Sequence, residues 1–281
     1  MMAAGDWAVE ADGLRCGIGG RPVLDGIDLR IPAGCFVGVF GANGAGKTTL
    51  FKSLLGMEPL QGGRLRLLGG EGVAARTQVG YVAQRDPPGA DGFLSVSSFV
   101  AAAWRAERWG FAGRADGDRT GAVAAALRAM EADDLSERAM DALSGGQRQR
   151  VRIAQALVNP VRMLLLDEPL ANLDPQAQQR ILQVARKLCN EQRLTVMMTA
   201  HDINPLLPHM DRVLYLANGK GLLGRVDEVV NAPSLSALYG LPMAVARDGG
   251  YLFIHPASGF MAEGAVHCGH DHAPADAEGA G

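Results

Sequence analysis

The sequence predicts an α/β fold in which an antiparallel β region precedes a central loop and a helical insertion follows it. Residues 7–33 alternate apolar and polar side chains, as antiparallel strands with one buried face do. A glycine-rich loop, Gly41–Thr48, lies between an apolar strand, Cys35–Phe40, and a segment of helical spacing that ends at Gly56. Ala-rich helical spacing then dominates residues 86–150, which we expect to form a mostly helical insertion.

The glycine-rich loop fits the pattern G-x-x-x-x-G-K-[ST], which binds phosphate in nucleotide hydrolases. Glycines allow successive backbone N–H groups to converge on phosphate oxygens, and the helix that follows adds the positive end of its dipole. Lys47 supplies a positive charge for the β- and γ-phosphates, and the Thr48 hydroxyl can reach Mg²⁺. The candidate phosphate-binding residues are Gly41, Asn43, Gly44, Ala45, Gly46, Lys47, Thr48 and Thr49.

Two later strands deliver polar residues that suit the same chemistry. The apolar strand Met163–Leu166 ends in Asp167 and Glu168. Folds of this class place a ligand of Mg²⁺ at the end of such a strand, so we assign Asp167 to the metal and Glu168 to activating the attacking water. A second buried strand leads to His201. A lone histidine is usually structural, but at the end of a parallel strand beside a nucleotide it is a candidate contact to the γ-phosphate.

A second candidate anion-binding helix start lies at Leu143–Gln147. Ser144 is a plausible N-cap, and the glycines at 145 and 146 expose the N–H groups at the helix end. The helix that begins here is expected to stop before Pro160.

Local signals predict the remaining elements. The dipeptides Gly19-Gly20 and Asp25-Gly26 predict turns within the N-terminal strands, and Asn218-Gly219 predicts a later hairpin. A last hairpin is expected around Asp248-Gly249-Gly250. Strands are expected within residues 64–84, and the insertion is expected to contain helices at Val96–Trp109 and Thr120–Glu131.

Composition is that of an ordinary globular protein, with 48% hydrophobic and 20% charged residues. Its longest apolar runs are far shorter than the roughly 18–20 residues that span a bilayer, and the N-terminus lacks the pattern of a secretory signal. The net charge is -3, but residues 263–281 contain acids and no Lys or Arg, so the rest of the chain is close to neutral. This balance gives no argument for a nucleic-acid partner, and we expect none. The cysteines are widely spaced without a C-x-x-C pair, which suits the reducing cytosol.

The C-terminal residues 257–281 are rich in Gly, Ala, His and acids, and we expect them to be disordered. This tail brings four potential zinc ligands together within six residues: His267, Cys268, His270 and His272. Weak metal binding and a solvated tail with a few histidines both fit that spacing.

In order and spacing, these motifs resemble those of the ATP-binding subunit of ABC transporters over residues 8–255. The matching segments are the phosphate loop Gly41–Thr48, the glutamine loop at Gln84, the signature Leu143–Gln147, the strand and glutamate Met163–Glu168, the D-loop Ala171–Asp174 and the switch histidine His201. The resemblance implies a P-loop NTPase core of ABC type, with an antiparallel β subdomain and a helical subdomain inserted at about 86–150.

The resemblance also implies a mechanism that uses ATP and Mg²⁺. Two copies would pack head to tail, and Ser144, Gly145, Gly146 and Gln147 of each would contact the nucleotide held by the other. Gln84 would contact Mg²⁺ or water and act with Glu168 and His201 in hydrolysis. The insertion would dock on an integral membrane permease. An extracytoplasmic solute-binding protein would deliver the cargo to that permease. The chain would then be cytoplasmic, peripheral on the inner face of the membrane.

One position departs from the family pattern at the expected adenine contact. Ile18 occupies the place where the family often stacks adenine on an aromatic ring, so we expect only an aliphatic contact there.

Segments His201–Leu207, Val226–Val230 and Leu235–Gly240 are similar to ATPases of zinc and manganese importers. Import of zinc or manganese is therefore the leading expectation. The alternatives are an importer of chelated iron or an organic nutrient, and a soluble ABC ATPase without a transport role.

Overall fold

The computed structural model describes residues 7–84, 93–104 and 118–257. Strands and helices alternate through most of this part of the chain. The strands are β1 (Trp7–Ile18), β2 (Arg21–Pro32), β3 (Phe36–Phe40), β4 (Leu60–Leu67), β5 (Val79–Val82), β6 (Met163–Leu166), β7 (Thr195–Thr199), β8 (Arg212–Ala217), β9 (Lys220–Gly224), β10 (Met243–Asp248) and β11 (Tyr251–Pro256). The α-helices are α1 (Lys47–Leu55), α2 (Val73–Arg76), α3 (Val96–Ala102), α4 (Arg119–Ala129), α5 (Gly145–Leu157), α6 (Pro175–Gln192), α7 (Val226–Val229) and α8 (Ala232–Tyr239).

The N-terminal strands form an antiparallel sheet in the order β2-β1-β4. The predicted Gly19-Gly20 turn is confirmed, and both glycines have the positive φ that a tight hairpin turn requires. The predicted turn at Asp25-Gly26 is wrong, because β2 continues through it as a β-bulge. Leu14 pairs with Ile27 and Cys16 with Leu24, so β2 uses one residue more than β1 over this stretch.

The central sheet positions the site. Among the described residues it has six strands in the order β5-β6-β7-β3-β8-β9, and only β9 runs antiparallel to its neighbour. Strand β3 is buried along its whole length, as its continuous apolar sequence predicts for a strand covered on both faces. The carboxyl ends of β3, β5, β6 and β7 therefore meet at one edge, where an α/β sheet binds its ligands.

The helices of the insertion pack against the signature helix, α5. The predicted helix from Val96 ends at Ala102 rather than at Trp109, and residues 105–117 lie outside the described part of the chain. Buried residues of α3, α4 and α5 share one core cluster with the central sheet. Two of them, Val100 and Val151, are completely buried.

The C-terminal part consists of two hairpins and two short helices. The Asn218-Gly219 turn joins β8 to β9 as predicted, and Gly249-Gly250 joins β10 to β11. The second hairpin forms a separate two-stranded sheet that follows α8. No helix among the described residues is long and apolar enough to cross a membrane.

Candidate functional site

The glycine-rich loop leads into helix α1 through a backbone with positive φ at Gly41, Gly44 and Gly46. Helix α1 begins with Gly46 as its N-cap at φ 100°, and no side chain caps the free N–H groups of its first turn. A Cβ at Gly46 would lie 2.6 Å from Leu24, and one at Gly41 would lie 2.3 Å from the Leu216 carbonyl oxygen. Glycine is therefore required at both positions, by close packing as well as by backbone conformation.

Lys47 lies across this loop. Its side-chain Nζ donates to the carbonyl oxygens of Gly41, at 2.7 Å, and Ala42, at 3.2 Å, and the residue is only 6% exposed. Burial lowers the pKa of the ammonium group, and the nearby carboxylates of Glu168 and Asp167 oppose that shift. A partly desolvated positive charge beside the uncapped first turn of a helix is suited to hold phosphate.

Asp167 is held by two hydroxyl groups. It is 1% exposed, and its carboxylate accepts hydrogen bonds from Thr48 Oγ1 and Thr199 Oγ1, each at 2.8 Å. Burial raises the pKa of Tyr81 to about 12, and the charge of Asp167 and a hydrogen bond to it act in the same direction. The acid at the end of β6 thus lies beside the first turn of α1, as the motif spacing predicts.

Thr199 was missed by sequence reasoning. Its hydroxyl donates to Asp167 and also accepts a 2.7 Å hydrogen bond from the Glu168 backbone N–H. Leu166 and Met198 are paired in neighbouring parallel strands, which brings the next residues of the two strands side by side. The available signal was a hydroxyl residue at the end of an apolar strand, opposite a predicted acid.

Glu168 lies between the other two candidate catalytic residues. Its carboxylate accepts a hydrogen bond from Gln84 Nε2 and lies 2.9 Å from His201 Nε2. Its side chain is 11% exposed and its φ is 51°, in the left-handed region that non-glycine residues rarely adopt. Such a conformation persists only where surrounding contacts hold it, and the N–H bond to Thr199 is one of them.

A cavity of about 350 Å³ gathers most of the predicted residues at the edge of the sheet. Ile18, 54% exposed, lies on its wall, where the adenine contact was expected. The residues that line this cavity are Ile18, Val23, Asn43, Gly44, Gly46, Lys47, Thr48, Thr49, Gln84, Glu168 and His201. The signature residues 144–147 are not among them.

The signature forms a well-capped helix start elsewhere on the surface. Ser144 and Gln147 make a reciprocal capping box, with Gln147 N–H to Ser144 Oγ at 3.3 Å and Ser144 N–H to Gln147 Oε1 at 3.0 Å. A Cβ at Gly146 would lie 2.7 Å from the Ala177 Cβ, so the signature packs closely against the first turn of α6. The signature thus lies outside this chain's own cavity, with Ser144 and Gly145 exposed.

The predicted tail ligands His267, Cys268, His270 and His272 lie outside the described residues. Within the described ranges there is no group of three or more His, Cys, Asp or Glu side chains that could hold a metal ion.

Comparison with known proteins identifies the family. The family model described as ABC transporter matches residues 24–171. The chain is 32% identical over 240 residues to the manganese transport system ATP-binding protein MntB of Bacillus subtilis, covering 85% of this chain and 95% of that protein. It is 35% identical over 265 residues to the hemin import ATP-binding protein HmuV of Streptomyces coelicolor, covering 92% and 90%.

Solved structures agree with this fold. The structure of an ABC transporter assigned to the metal-chelate type, in an inward-facing conformation, matches with a TM-score of 0.73 at 26% identity, covering 89% of this chain and 96% of that one. The cbiO1 protein of Clostridium perfringens, part of the ABC transporter complex cbiONQ, matches with a TM-score of 0.71 at 27% identity, covering 83% and 94%. The chain therefore belongs to the ABC transporter family, as an ATP-binding protein that hydrolyses ATP.

Proposed function

We propose that this chain powers the import of a transition-metal ion, zinc or manganese, through a separate membrane permease. The observation that carries ATP hydrolysis is the meeting of Lys47, Asp167 and Glu168 at the end of the sheet. The metal cargo is supported by the similarity to the manganese transport protein, of which the match covers 95%. The cargo would never touch these residues, so its identity rests on that similarity alone.

A second candidate cargo is hemin or a related iron chelate. The hemin import protein is 35% identical to this chain, against 32% for the manganese transport protein, and its match covers 92% of this chain, against 85%. An organic cargo is supported less, since the sulfonate import protein of Pseudomonas entomophila is 36% identical but covers 79% of this chain.

The phosphate loop would hold the ATP phosphates. The uncapped N–H groups of Lys47, Thr48 and Thr49 would bind their oxygens, and the Lys47 ammonium would leave the loop carbonyls for the β- and γ-phosphates. The adenine would lie against Ile18, which offers aliphatic contact but no ring for stacking.

The pair Asp167 and Thr48 fits a bound Mg²⁺. A buried carboxylate and a hydroxyl 2.8 Å apart supply oxygen atoms, which are the ligands that Mg²⁺ prefers, and Gln84 lies on the same cavity. When bound, the ion would neutralise charge on the phosphates. The chain's own part is to hold the Asp167 carboxylate in place, which its two hydroxyl donors do.

Glu168 would accept a proton from the water that attacks the γ-phosphate. His201, 2.9 Å from Glu168, would orient that carboxylate and contact the γ-phosphate, and Gln84 would contact the same water or the metal. Gln84 and His201 both contact the Glu168 carboxylate, which would fix the position of the proposed base.

The signature would complete the ATP site of a second copy. Ser144, Gly145, Gly146 and Gln147 form a helix start outside their own cavity, with Ser144 and Gly145 exposed, as a head-to-tail dimer requires. A mixture of Ser144→Arg and Lys47→Ala subunits tests this arrangement. In a mixed dimer, one ATP site would join the intact phosphate loop of the first variant to the intact signature of the second, and the other site would carry both substitutions. Restored ATPase activity in the mixture is expected; activity equal to the average of the separate variants would count against sites shared in trans.

The remaining partners follow from the import role. The protein would bind the cytoplasmic face of an integral permease as a peripheral subunit, and a solute-binding protein would deliver the cargo on the other side. Growth of a deletion strain in metal-depleted medium tests the cargo, with the Lys47→Ala gene as the control for complementation. Rescue of the deletion strain by added zinc or manganese supports the proposal, and rescue by hemin alone would favour the second candidate.

A further inference from the structure

The loop that carries His201 is tied to the C-terminal hairpin by the side chain of Asn204. Its amide nitrogen donates to the Leu252 carbonyl oxygen at 3.1 Å, and its amide oxygen accepts the Leu252 N–H at 2.7 Å. The same nitrogen donates to Asp202 Oδ1 at 2.8 Å, and so does the Asn204 backbone N–H at 2.9 Å. Since Asp202 directly follows His201, one amide joins β11 to the loop of the histidine.

Both sides of this contact are firmly packed. Leu252 is 4% exposed, and Ile203 and Leu206, which flank Asn204, are 6% and 0% exposed. Buried apolar side chains on each side limit how far either backbone can move.

The hairpin itself depends on such anchors, because an isolated two-stranded sheet is marginally stable. Its base is fixed by Met243 N–H, which donates to Ser236 Oγ of α8 at 2.8 Å, and by Ala257 N–H, which donates to the Pro242 carbonyl at 2.8 Å. Asn204 anchors the other half of the hairpin, nearer its turn.

His201 and the hairpin also share a second cavity, of about 400 Å³. Its lining includes the start of the phosphate loop, His201, and Leu252 and Ile254 of β11. His201 also lines the cavity proposed for ATP. A shift of the hairpin relative to the His201 loop would therefore displace a residue of the proposed ATP site.

We infer that Asn204 is a positioning residue for ATP hydrolysis, which acts by tying β11 to the His201 loop and so holding the imidazole beside Glu168. The inference rests on the role proposed for His201. It makes the C-terminal hairpin part of the hydrolytic unit, although the hairpin follows every catalytic motif in the sequence and contributes no side chain to the ATP cavity.

Asn204→Ala in the full chain tests this inference, with Asn231→Ala as the matched control. The Asn231 amide also makes three hydrogen bonds to backbone groups, in this case to Ser234 of α8 and to Asp227 and Glu228 of α7, none of them in the His201 loop. We expect Asn204→Ala to lower kcat about tenfold with little change in the KM for ATP, which is less than the ~10²-fold that a misplacement of 1 Å can cost. Asn231→Ala should leave both constants near their wild-type values.

A double-mutant cycle with His201→Ala separates positioning from general destabilisation. If Asn204 acts through His201, Asn204→Ala should cause little further loss of kcat once the imidazole is gone. An equal loss in both backgrounds, or a wild-type kcat in Asn204→Ala, would overturn the inference. If His201→Ala itself left kcat unchanged, the role proposed for the histidine would fail instead.

Asn204→Asp repeats the cycle with a residue of the same size if Asn204→Ala does not fold. It keeps the acceptor for the Leu252 N–H but loses the donor to the Leu252 carbonyl and to Asp202. The new carboxylate would face the Asp202 carboxylate and the Leu252 carbonyl oxygen, so we expect a loss of kcat at least as large as in Asn204→Ala. That loss should also disappear in the His201→Ala background and be accompanied by faster hydrogen exchange at the Leu252 amide. Unchanged kcat and exchange would refute the inference.

Discussion

Thr199→Val tests whether one buried hydroxyl holds both acidic residues of the site in place. Thr199 is completely buried, and valine replaces its hydroxyl with a methyl group of similar size. The substitution leaves the Asp167 carboxylate without one of its two hydroxyl donors and the Glu168 N–H without its acceptor. Because Glu168 has a φ of 51°, loss of that acceptor should also let its backbone relax away from the active conformation.

The magnitude follows from the two lost contacts. Each buried polar group left unsatisfied costs about 1–3 kcal/mol, so we expect a loss of about 3 kcal/mol in the free energy of unfolding. At roughly 2 °C per kcal/mol for a chain of this size, the melting temperature should fall by about 6 °C. The kcat for ATP hydrolysis should fall by about 10²-fold, since the proposed base and the proposed metal ligand both lose their orientation.

Thr195→Val is the matched control for this prediction. Thr195 lies at the other end of β7, is equally buried, and accepts one hydrogen bond, from the Gly34 N–H at 2.9 Å. It should lower the melting temperature by a few degrees and leave kcat unchanged. Thr199→Ser, which keeps the hydroxyl, should recover most of the activity. Equal kcat in the two valine variants, measured with saturating ATP, would refute the reasoning.

Three further outcomes are expected. Lys47→Ala should weaken ATP binding itself, seen by equilibrium titration with a fluorescent ATP analogue, and wild-type affinity would contradict the phosphate-loop assignment. Burial raises the pKa of Cys35 and of Cys189 to about 12, which disfavours the thiolate at every lower pH. Both thiols should therefore resist iodoacetamide at pH 8 until the protein is unfolded, and rapid native labelling would show that this part of the core opens. Truncation after Ala257, which keeps the hydrogen bond to Pro242, should leave ATPase activity nearly unchanged, and a large loss would assign the tail a structural role.

Local patterns were enough to predict the phosphate loop and the acids at the strand ends. The loop's conformation depends on its own glycines and on the helix that follows it, so the local sequence around Gly41–Thr48 is enough to predict it. Asp167 and Glu168 could be placed because a short, fully apolar strand can only be central, and its end must lie at the ligand-binding edge of the sheet.

Contacts between distant segments could not be predicted in this way. The bulge at Asp25-Gly26 depends on how β2 pairs with β1, whereas the sequence there shows only a common turn signal. The double role of Thr199 requires β7 to lie beside β6, and the bond from Asn204 to Leu252 joins residues 48 positions apart. Periodicity and motif spacing carry no information about such pairings.

Single-turnover hydrolysis by Glu168→Gln tests the central claim most directly, that this carboxylate activates the attacking water. The variant keeps the size and the hydrogen-bonding positions of Glu168 but removes the basic carboxylate, so ATP should still bind with wild-type affinity. We expect the hydrolysis rate to fall by about 10²–10⁴-fold, the usual contribution of a general base. A single-turnover rate equal to that of the wild-type protein would contradict the account.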